Sequence, residues 1–140
     1  MKKAIIASML AITTAVFAGE VTVSAARDYN VELDGYRVGT SVAGVNLTAT
    51  QIEKTYTRFA VGKDFQLTKV GPVALSAGGS VVYQDTTNGA NGYGLTVGAK
   101  ATMPITKSID LVAGVERFTG QSRVANSNGN TGSVGLNLKF

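Results

Sequence analysis

The sequence predicts an all-β fold, namely an up-and-down antiparallel β-barrel of about eight strands. Three observations carry this prediction: apolar and polar residues alternate over most of the chain, glycine is abundant at 17 residues, and only two prolines occur, both in predicted turns. Alternation with a period of two puts one set of side chains on each face of a strand. Neither the period nor the glycine content suits helices, so hairpins joined in sequence remain.

The amino-terminal residues differ from the rest of the chain. Two lysines precede an uncharged apolar run at 4–17, and Ala18 completes a small-x-small cleavage site. This run of about fourteen apolar residues is shorter than the ~20 that cross a bilayer as a helix. We therefore predict a secretory signal peptide at 1–18, cleaved after Ala18, and one domain at 19–140.

The composition excludes several classes of function. Without the two lysines of the signal peptide, 11 basic residues stand against 9 acidic ones, a balance that does not suggest a nucleic-acid partner. The chain has no cysteine and no histidine. Thiol nucleophiles, Ser-His-Asp triads and soft-metal sites are thereby excluded. We expect no enzymatic activity, no cofactor and no metal.

The first strands can be divided in two ways. Residues 20–26 alternate, and residues 29–33 alternate again, so 20–33 could form one strand or two. A split near Arg27 and Asp28 gives an even total of eight strands. An even count places both termini at the same end of the barrel.

A hairpin is predicted directly after this region. Asp34-Gly35 favours a type I′ turn, which requires positive φ at both central residues. The turn leads into a predicted strand at 36–47. Its apolar positions change parity in the second half, and we predict a β-bulge at Gly44 to account for the change.

The later strands alternate regularly, with large apolar residues on one face and glycine, hydroxyl or charged residues on the other. Segments rich in Asn, Ser and Gly separate them. The loops at 85–92 and 120–130 are the longest and are the predicted positions of specificity. The predicted strands are 54–67, 72–84, 93–103, 109–119 and 130–140.

The last strand carries the most specific pattern, because Val134, Leu136, Leu138 and Phe140 alternate with small or polar residues. An alternating strand that ends in Phe resembles the last strand of bacterial outer-membrane β-barrel proteins. The resemblance implies that these four residues form an assembly signal. It also implies the barrel-assembly machinery and periplasmic chaperones as partners during biogenesis.

The aromatic residues provide a second test of this interpretation. With Phe140 at the periplasmic end, most aromatic residues fall near strand ends, as in the two aromatic girdles of membrane barrels. The mature chain thus resembles small eight-stranded outer-membrane proteins such as the OmpA transmembrane domain, OmpX and the opacity proteins. This implies a Gram-negative outer membrane, with its lipid and lipopolysaccharide as the surroundings. The predicted girdles contain Tyr29, Tyr56, Tyr83, Tyr93 and Phe118 at the outer ends, and Tyr36 and Phe65 at the inner ends.

The charged residues of the polar faces are predicted to point into the barrel. An acid and base pair among the carboxylates is one interpretation, but ion pairs that fill a narrow interior are favoured. Because side chains fill an eight-stranded barrel, no wide porin-like pore is expected. The predicted interior charges are Arg58, Asp64, Lys100, Asp110, Glu116 and Lys139.

Two functions remain open at this point. The first is an integral outer-membrane barrel with a structural, adhesive or surface-interaction role, whose outer loops bind an extracellular ligand. The second is a soluble periplasmic barrel, similar to lipocalins or avidins, that binds a small apolar ligand inside. The two differ in which face is apolar, and alternation alone does not distinguish them.

Overall fold

The computed structural model describes residues 19–86, 91–120 and 128–140; the predicted signal peptide lies outside them. Eight antiparallel strands pair in chain order, and β1 pairs with β8 to close the barrel. The predicted all-β, up-and-down fold is confirmed. The described residues contain no helix that is long and apolar enough to span a membrane. The strands are β1 (Glu20–Asp28), β2 (Leu33–Val42), β3 (Val45–Ile52), β4 (Tyr56–Val70), β5 (Val73–Thr86), β6 (Gly92–Pro104), β7 (Ile109–Gly120) and β8 (Asn128–Lys139).

The count of eight is correct, but the first three strands divide differently from the prediction. The predicted strand at 29–33 is mostly the turn between β1 and β2. The predicted bulge at Gly44 is instead a hairpin turn, with Ala43 at φ 53° and Gly44 at φ 81°. Positive φ at both positions is what a two-residue I′ turn requires. Such a turn places Val42 directly opposite Val45, which explains the change of parity.

The predicted turn at Asp34-Gly35 is wrong, because both residues lie within β2. Gly35 pairs with Ala26 on one side and Ile52 on the other. A β-carbon on Gly35 would lie 1.8 Å from the carbonyl oxygen of Gln51. Glycine is therefore needed here for close approach of two strands, and the position carries no positive φ.

The two ends of the barrel are distinct. At one end, which we name the terminal end, lie the first strand residue Glu20, the last residue Phe140 and the turns at 43–44, 71–72 and 105–108. The opposite end, named the far end, carries the turns at 29–32 and 53–55 and the connections that follow β5 and β7. The predicted loops at 85–92 and 120–130 are partly taken up by strands. Asn91 lies between β5 and β6 and accepts a hydrogen bond from the Thr86 N–H at 2.8 Å; residues 87–90 and 121–127 lie outside the described ranges.

The wall is uneven in height. Strand β3 has 8 residues and its neighbour β4 has 15. Their pairing stops at Asn46 opposite Gly62, so the terminal half of β4 is paired only with β5. A register shift near Leu67 interrupts that second pairing. A bulge of this kind twists an exposed strand edge away from further pairing.

Large apolar side chains cover the outside of the barrel, while small and polar side chains face the interior. The outward set includes Val61, Val97 and Val115, which are 52%, 70% and 61% exposed. Inside, two small clusters form the apolar core, one of Ala26, Ile52 and Tyr56 and one of Val82 and Phe118. The apolar surface of this chain is thus predominantly external.

Candidate functional site

The far half of the interior is sealed by an arginine between two aromatic rings. The Cζ atom of Arg58 lies 4.1 Å from the ring centroid of Tyr56 and 3.9 Å from that of Phe118. Its Nε donates to Gln84 Oε1 at 2.8 Å, and all four side chains are at most 3% exposed. Cation–π attraction favours a guanidinium over a ring face, more so when both are desolvated. We name these four residues the Arg58 plug.

Strand parity places the plug residues inside. Tyr56 and Arg58 are two positions apart on β4 and so share one face, and Phe118 shares the inward face of β7 with Glu116. The prediction that Tyr56 and Phe118 belong to the outer girdles is therefore wrong. It used their position near strand ends and not the face to which each side chain points.

Asp28 connects the plug to the wall. Tyr56 Oη donates to Asp28 Oδ2, while Asp28 Oδ1 accepts from the backbone N–H groups of Asn30 at 2.8 Å and Val31 at 3.3 Å. Such bonds from an aspartate to the following backbone stabilise turns. The carboxylate thus fixes the β1–β2 turn against the plug. Asp28 is not among the site residues predicted from the sequence, although an aspartate just before a predicted break is a recognisable signal of this kind.

Ion pairs occupy the terminal half of the interior. Lys100 Nζ lies 2.6 Å from Asp64 Oδ2, and Asn46 Nδ2 donates to the same carboxylate at 2.8 Å. At the mouth of the barrel, Lys139 Nζ lies 2.9 Å from Asp110 Oδ2. The first pair joins β4 to β6, and the second joins the neighbouring strands β7 and β8. Asp110 Oδ1 remains buried without a hydrogen-bond partner among the described residues.

The remaining interior charges are arranged differently. Glu116 pairs with Arg37, a residue that sequence analysis did not select. Arg37 lies between Tyr36 and Val38, which share the opposite face of the strand. This alternation could have indicated that the side chain of Arg37 points into the barrel. Arg58 makes no ion pair in the part of the chain that the structure describes; the aromatic rings, Gln84 and Thr131 Oγ1 surround it.

A cavity of about 270 Å³ lies between the ion pairs. Its lining includes Arg37, Asp64, Lys100 and Glu116, but no residue of the Arg58 plug. Glycines at 78 and 98 lie in register between Asp64 and Glu116 on the inward face. The interior is thus divided into a closed, aromatic far half and a polar terminal half.

The other aromatic residues lie on the outside. Tyr83 and Tyr93 form a tilted pair with ring centroids 5.2 Å apart, and Tyr29 and Phe65 are exposed. Tyr36 is exposed as well, but it lies in the far half of β2, where its hydroxyl donates to Gln51 Oε1 at 2.9 Å. Its predicted position at the inner end is wrong because the β1–β2 turn precedes Leu33, which reverses the direction of this strand.

The last strand closes the barrel against the first. Val134, Leu136 and Leu138 lie opposite Ala25, Val23 and Val21 on β1, and all face outward. Phe140 is 71% exposed and its N–H donates to the carbonyl oxygen of Gly19 at 2.9 Å. The four residues of the predicted assembly signal therefore lie in one row on the outer face of β8. The ring of Phe140 makes few contacts with the rest of the barrel.

Comparison with known proteins supports the fold and identifies a family. The solution NMR structure of the de novo designed protein TMB2.3 is similar, with a TM-score of 0.57 and 14% sequence identity over 86% of this chain and 92% of that one. At this identity the likeness shows the fold alone. A search of curated proteins finds no match. A family profile described as YfaZ precursor matches residues 1–122. Because this match spans most of the sequence, the chain belongs to the YfaZ precursor family.

Proposed function

We propose that this chain is an integral outer-membrane β-barrel protein with a structural or surface-interaction role, without a wide pore and without enzymatic activity. The orientation of its apolar side chains carries the proposal. Val61, Val97 and Val115 face outward and remain more than half exposed. Contiguous apolar surface of this extent is rare on soluble monomers. Lipid covers such a surface, and the inward polar groups then avoid contact with hydrocarbon.

Polar residues limit the apolar band at the far end of the barrel. Arg27 and Asp34 lie opposite each other on β1 and β2, and Arg27 Nη1 is 2.7 Å from Asp34 Oδ1. Gln51 follows on β3 and accepts from Tyr36. Tyrosines next to charged and amide side chains are typical of the membrane–water interface. This border supports a barrel that spans the membrane with its far end at a membrane–water interface.

The alternative, a soluble barrel around an apolar ligand, lacks a matching interior. Its ligand would require large apolar side chains inside, whereas Leu95, Leu136 and Val97 lie outside and are exposed. Ion pairs and hydroxyl groups line the cavity. An apolar ligand would leave those polar groups without partners, which is unfavourable.

In the proposed role, the far-end connections contact the surroundings of the cell. We propose that loops 85–92 and 120–130 carry any specificity, with lipopolysaccharide or an extracellular ligand as the partner. Periplasmic chaperones and the barrel-assembly machinery act on the chain before it folds in the membrane. Nothing in the charge balance of 11 basic and 9 acidic residues favours nucleic acid.

Fractionation tests this proposal directly. The expressed full chain should be recovered with outer membranes, and its band on SDS gels should shift when the sample is boiled, since folded barrels resist SDS until heated. A soluble periplasmic protein from the same cells serves as the control for separation of the fractions. Recovery in the soluble periplasm without a heat-dependent shift would overturn the proposal.

A further inference from the structure

The terminal half of the barrel contains space that side chains do not fill. The cavity has a volume of about 270 Å³, which is room for several water molecules. On the far side the Arg58 plug occupies the next layer of the interior, although none of its residues lines the cavity. On the other side the cavity extends to Glu20 and Asn137, which lie at the terminal end. Among the described residues, the terminal end is therefore the side from which a solute would enter the cavity.

Hydroxyl groups form much of the cavity wall. Ser24 and Thr96 are 6% and 5% exposed, respectively, and line the cavity. Neither hydroxyl, nor those of Ser80 and Ser133, is hydrogen-bonded to another described residue, and their oxygens open onto the cavity and are not buried in the wall. They can therefore bond to whatever occupies the cavity, either water or a guest with donors and acceptors of its own.

The charges around the cavity restrict the chemistry of a guest. Arg37 is already paired with Glu116, and Lys100 with Asp64. An anion or cation would have to compete with these pairs, and an apolar molecule would leave the hydroxyl groups unpaired. A neutral molecule rich in hydroxyl groups fits both conditions, because it can donate to the carboxylates and accept from the cations without separating them.

We propose that this cavity binds a neutral polyhydroxylated molecule of about monosaccharide size, admitted through the terminal end. Ser24, Thr96, Ser80 and Ser133 supply hydrogen bonds from the wall. No aromatic ring lines the cavity, so stacking on a sugar ring contributes nothing. For a ligand of this size held by hydrogen bonds alone, the expected dissociation constant is in the millimolar range.

An NMR titration of the folded full chain in detergent micelles tests the proposal. D-glucose should produce saturable shifts in the backbone amide signals of Ser24, Thr96 and Ser133, while glycine betaine and hexanol at equal concentration should not. Absence of saturable shifts up to about 100 mM glucose, or shifts confined to outward residues, would overturn it. The experiment needs only a folded barrel, so its result is independent of where the protein resides.

Variants locate the binding. The double substitution Ser24→Ala with Thr96→Val removes two hydroxyl groups of the cavity wall with little change of shape and should weaken glucose binding by at least about tenfold. Thr119→Val removes an outward hydroxyl from β7 and is the matched control, expected to bind as the unmodified chain does. If the double variant fails the heat-shift test for folding, Ser80→Ala and Ser133→Ala are measured singly. Unchanged binding in the variants that fold would overturn the proposal.

Discussion

At the scale of single residues, the interior depends on glycines that lie opposite charged side chains. Gly78 lies directly opposite Asp64, and Gly98 directly opposite Glu116. A β-carbon on Gly78 would lie 2.1 Å from Asp64 Oδ1 and 2.6 Å from the carbonyl oxygen of Lys63. The carboxylate could rotate away, but the backbone oxygen could not do so without distorting the strand. The Asp64–Lys100 pair therefore requires a residue without a side chain at position 78.

Gly78→Ala should lower the free energy of unfolding by about 1–3 kcal/mol, through overpacking and loss of the ion pair. The neighbouring Gly79 faces outward, and its β-carbon would meet nothing closer than Thr96 O at 3.2 Å. Gly79→Ala is thus the matched control, with an expected change within about 0.5 kcal/mol. Urea titration measures the free energy of unfolding of both variants, with the folded fraction at each urea concentration taken from the heat-dependent gel shift. Equal losses in the two variants would contradict this explanation.

Lys63 shows how one charge can remain on the apolar face. Its side chain is exposed, and its Nζ lies 5.7 Å from the ring centroid of Phe65. Lys63 sits just beyond Gly62, where the pairing of β3 with β4 ends. The lysine therefore lies next to the end of the shorter strand β3, and in the proposed membrane-spanning barrel its long side chain would extend toward lipid headgroups.

At the scale of elements, the turn between β2 and β3 carries a strained residue. Ala43 has φ 53°, a left-handed conformation that costs a residue with a β-carbon roughly 1 kcal/mol. Asparagine tolerates this conformation better and is favoured before glycine in I′ turns. The strand boundaries around this turn are set by the two positive φ values of Ala43 and Gly44.

Ala43→Asn should raise the free energy of unfolding by about 0.5–1 kcal/mol, because it relieves this strain. Gly44→Val should lower it by at least about 1 kcal/mol, since Gly44 has φ 81° and a β-branched residue resists positive φ. The same urea titration measures both changes. A loss of stability in Ala43→Asn would show that the turn is not of the I′ type.

Phe140 offers a test that separates assembly from stability. Its ring is 71% exposed, so deletion should leave refolding of the purified chain in detergent almost unchanged. In cells, the same deletion should reduce the amount of folded protein in the outer membrane if the assembly machinery reads this residue. Comparison of the heat-shifted band in vitro and in membranes measures both effects. Normal assembly in cells would show that the last strand is not an assembly signal.

The sequence allowed the later strands to be placed well because their outward residues are large and apolar while their inward residues are small. The predicted strand boundaries are wrong at two places. Asp34-Gly35 is a pair typical of turns, but here Gly35 allows two strands to approach closely. Ala43-Gly44 forms a turn although alanine is uncommon at positive φ. The prediction for Phe118 failed for another reason. An aromatic residue near a strand end can belong to an outer girdle or to an interior plug. Strand parity, which gives the face to which the side chain points, distinguishes the two.

The interior contacts were less predictable than the strands. Alternation indicates which charges share the inward direction, but not which strands bring them together. The pairing of Arg37 with Glu116 joins β2 to β7, and it depends on closure and register of the whole barrel. The clamping of Arg58 by rings from β4 and β7 depends on closure in the same way.

At the scale of the whole molecule, the outside of the barrel should respond to charge as a membrane-embedded surface does. Ala99 is exposed and lies between Ala77 and Val115 on the neighbouring strands. Ala99→Arg should lower the free energy of unfolding in lipid vesicles by about 2–4 kcal/mol, since it places a cation in hydrocarbon. Thr119→Arg, outward but near the far end, should cost at most about 1 kcal/mol. Equal small effects would argue against a lipid-covered band.

The division of the interior into two halves predicts a closed barrel. The unmodified protein should give no stepwise conductance in planar bilayers, because the Arg58 plug fills the far half. Truncation of two plug residues, Arg58→Ala with Phe118→Ala, should connect the terminal cavity to the far end and produce small channels. Arg117→Ala, a truncation on the outer surface of β7, is the control and should stay silent. Steps of equal size in all three proteins would contradict the assignment of the plug.

The ladder between β1 and β8 has a consequence for how the barrel forms. It includes the bond from Thr22 Oγ1 to Asn137 Oδ1, which joins positions 115 apart in the chain. Contacts this distant are slow to form, because the loop between them must close first. Until β8 meets β1, a partly formed barrel exposes two unpaired strand edges, which can pair with other chains. Closure is therefore the step at which folding competes with aggregation, and it comes only after all eight strands are available.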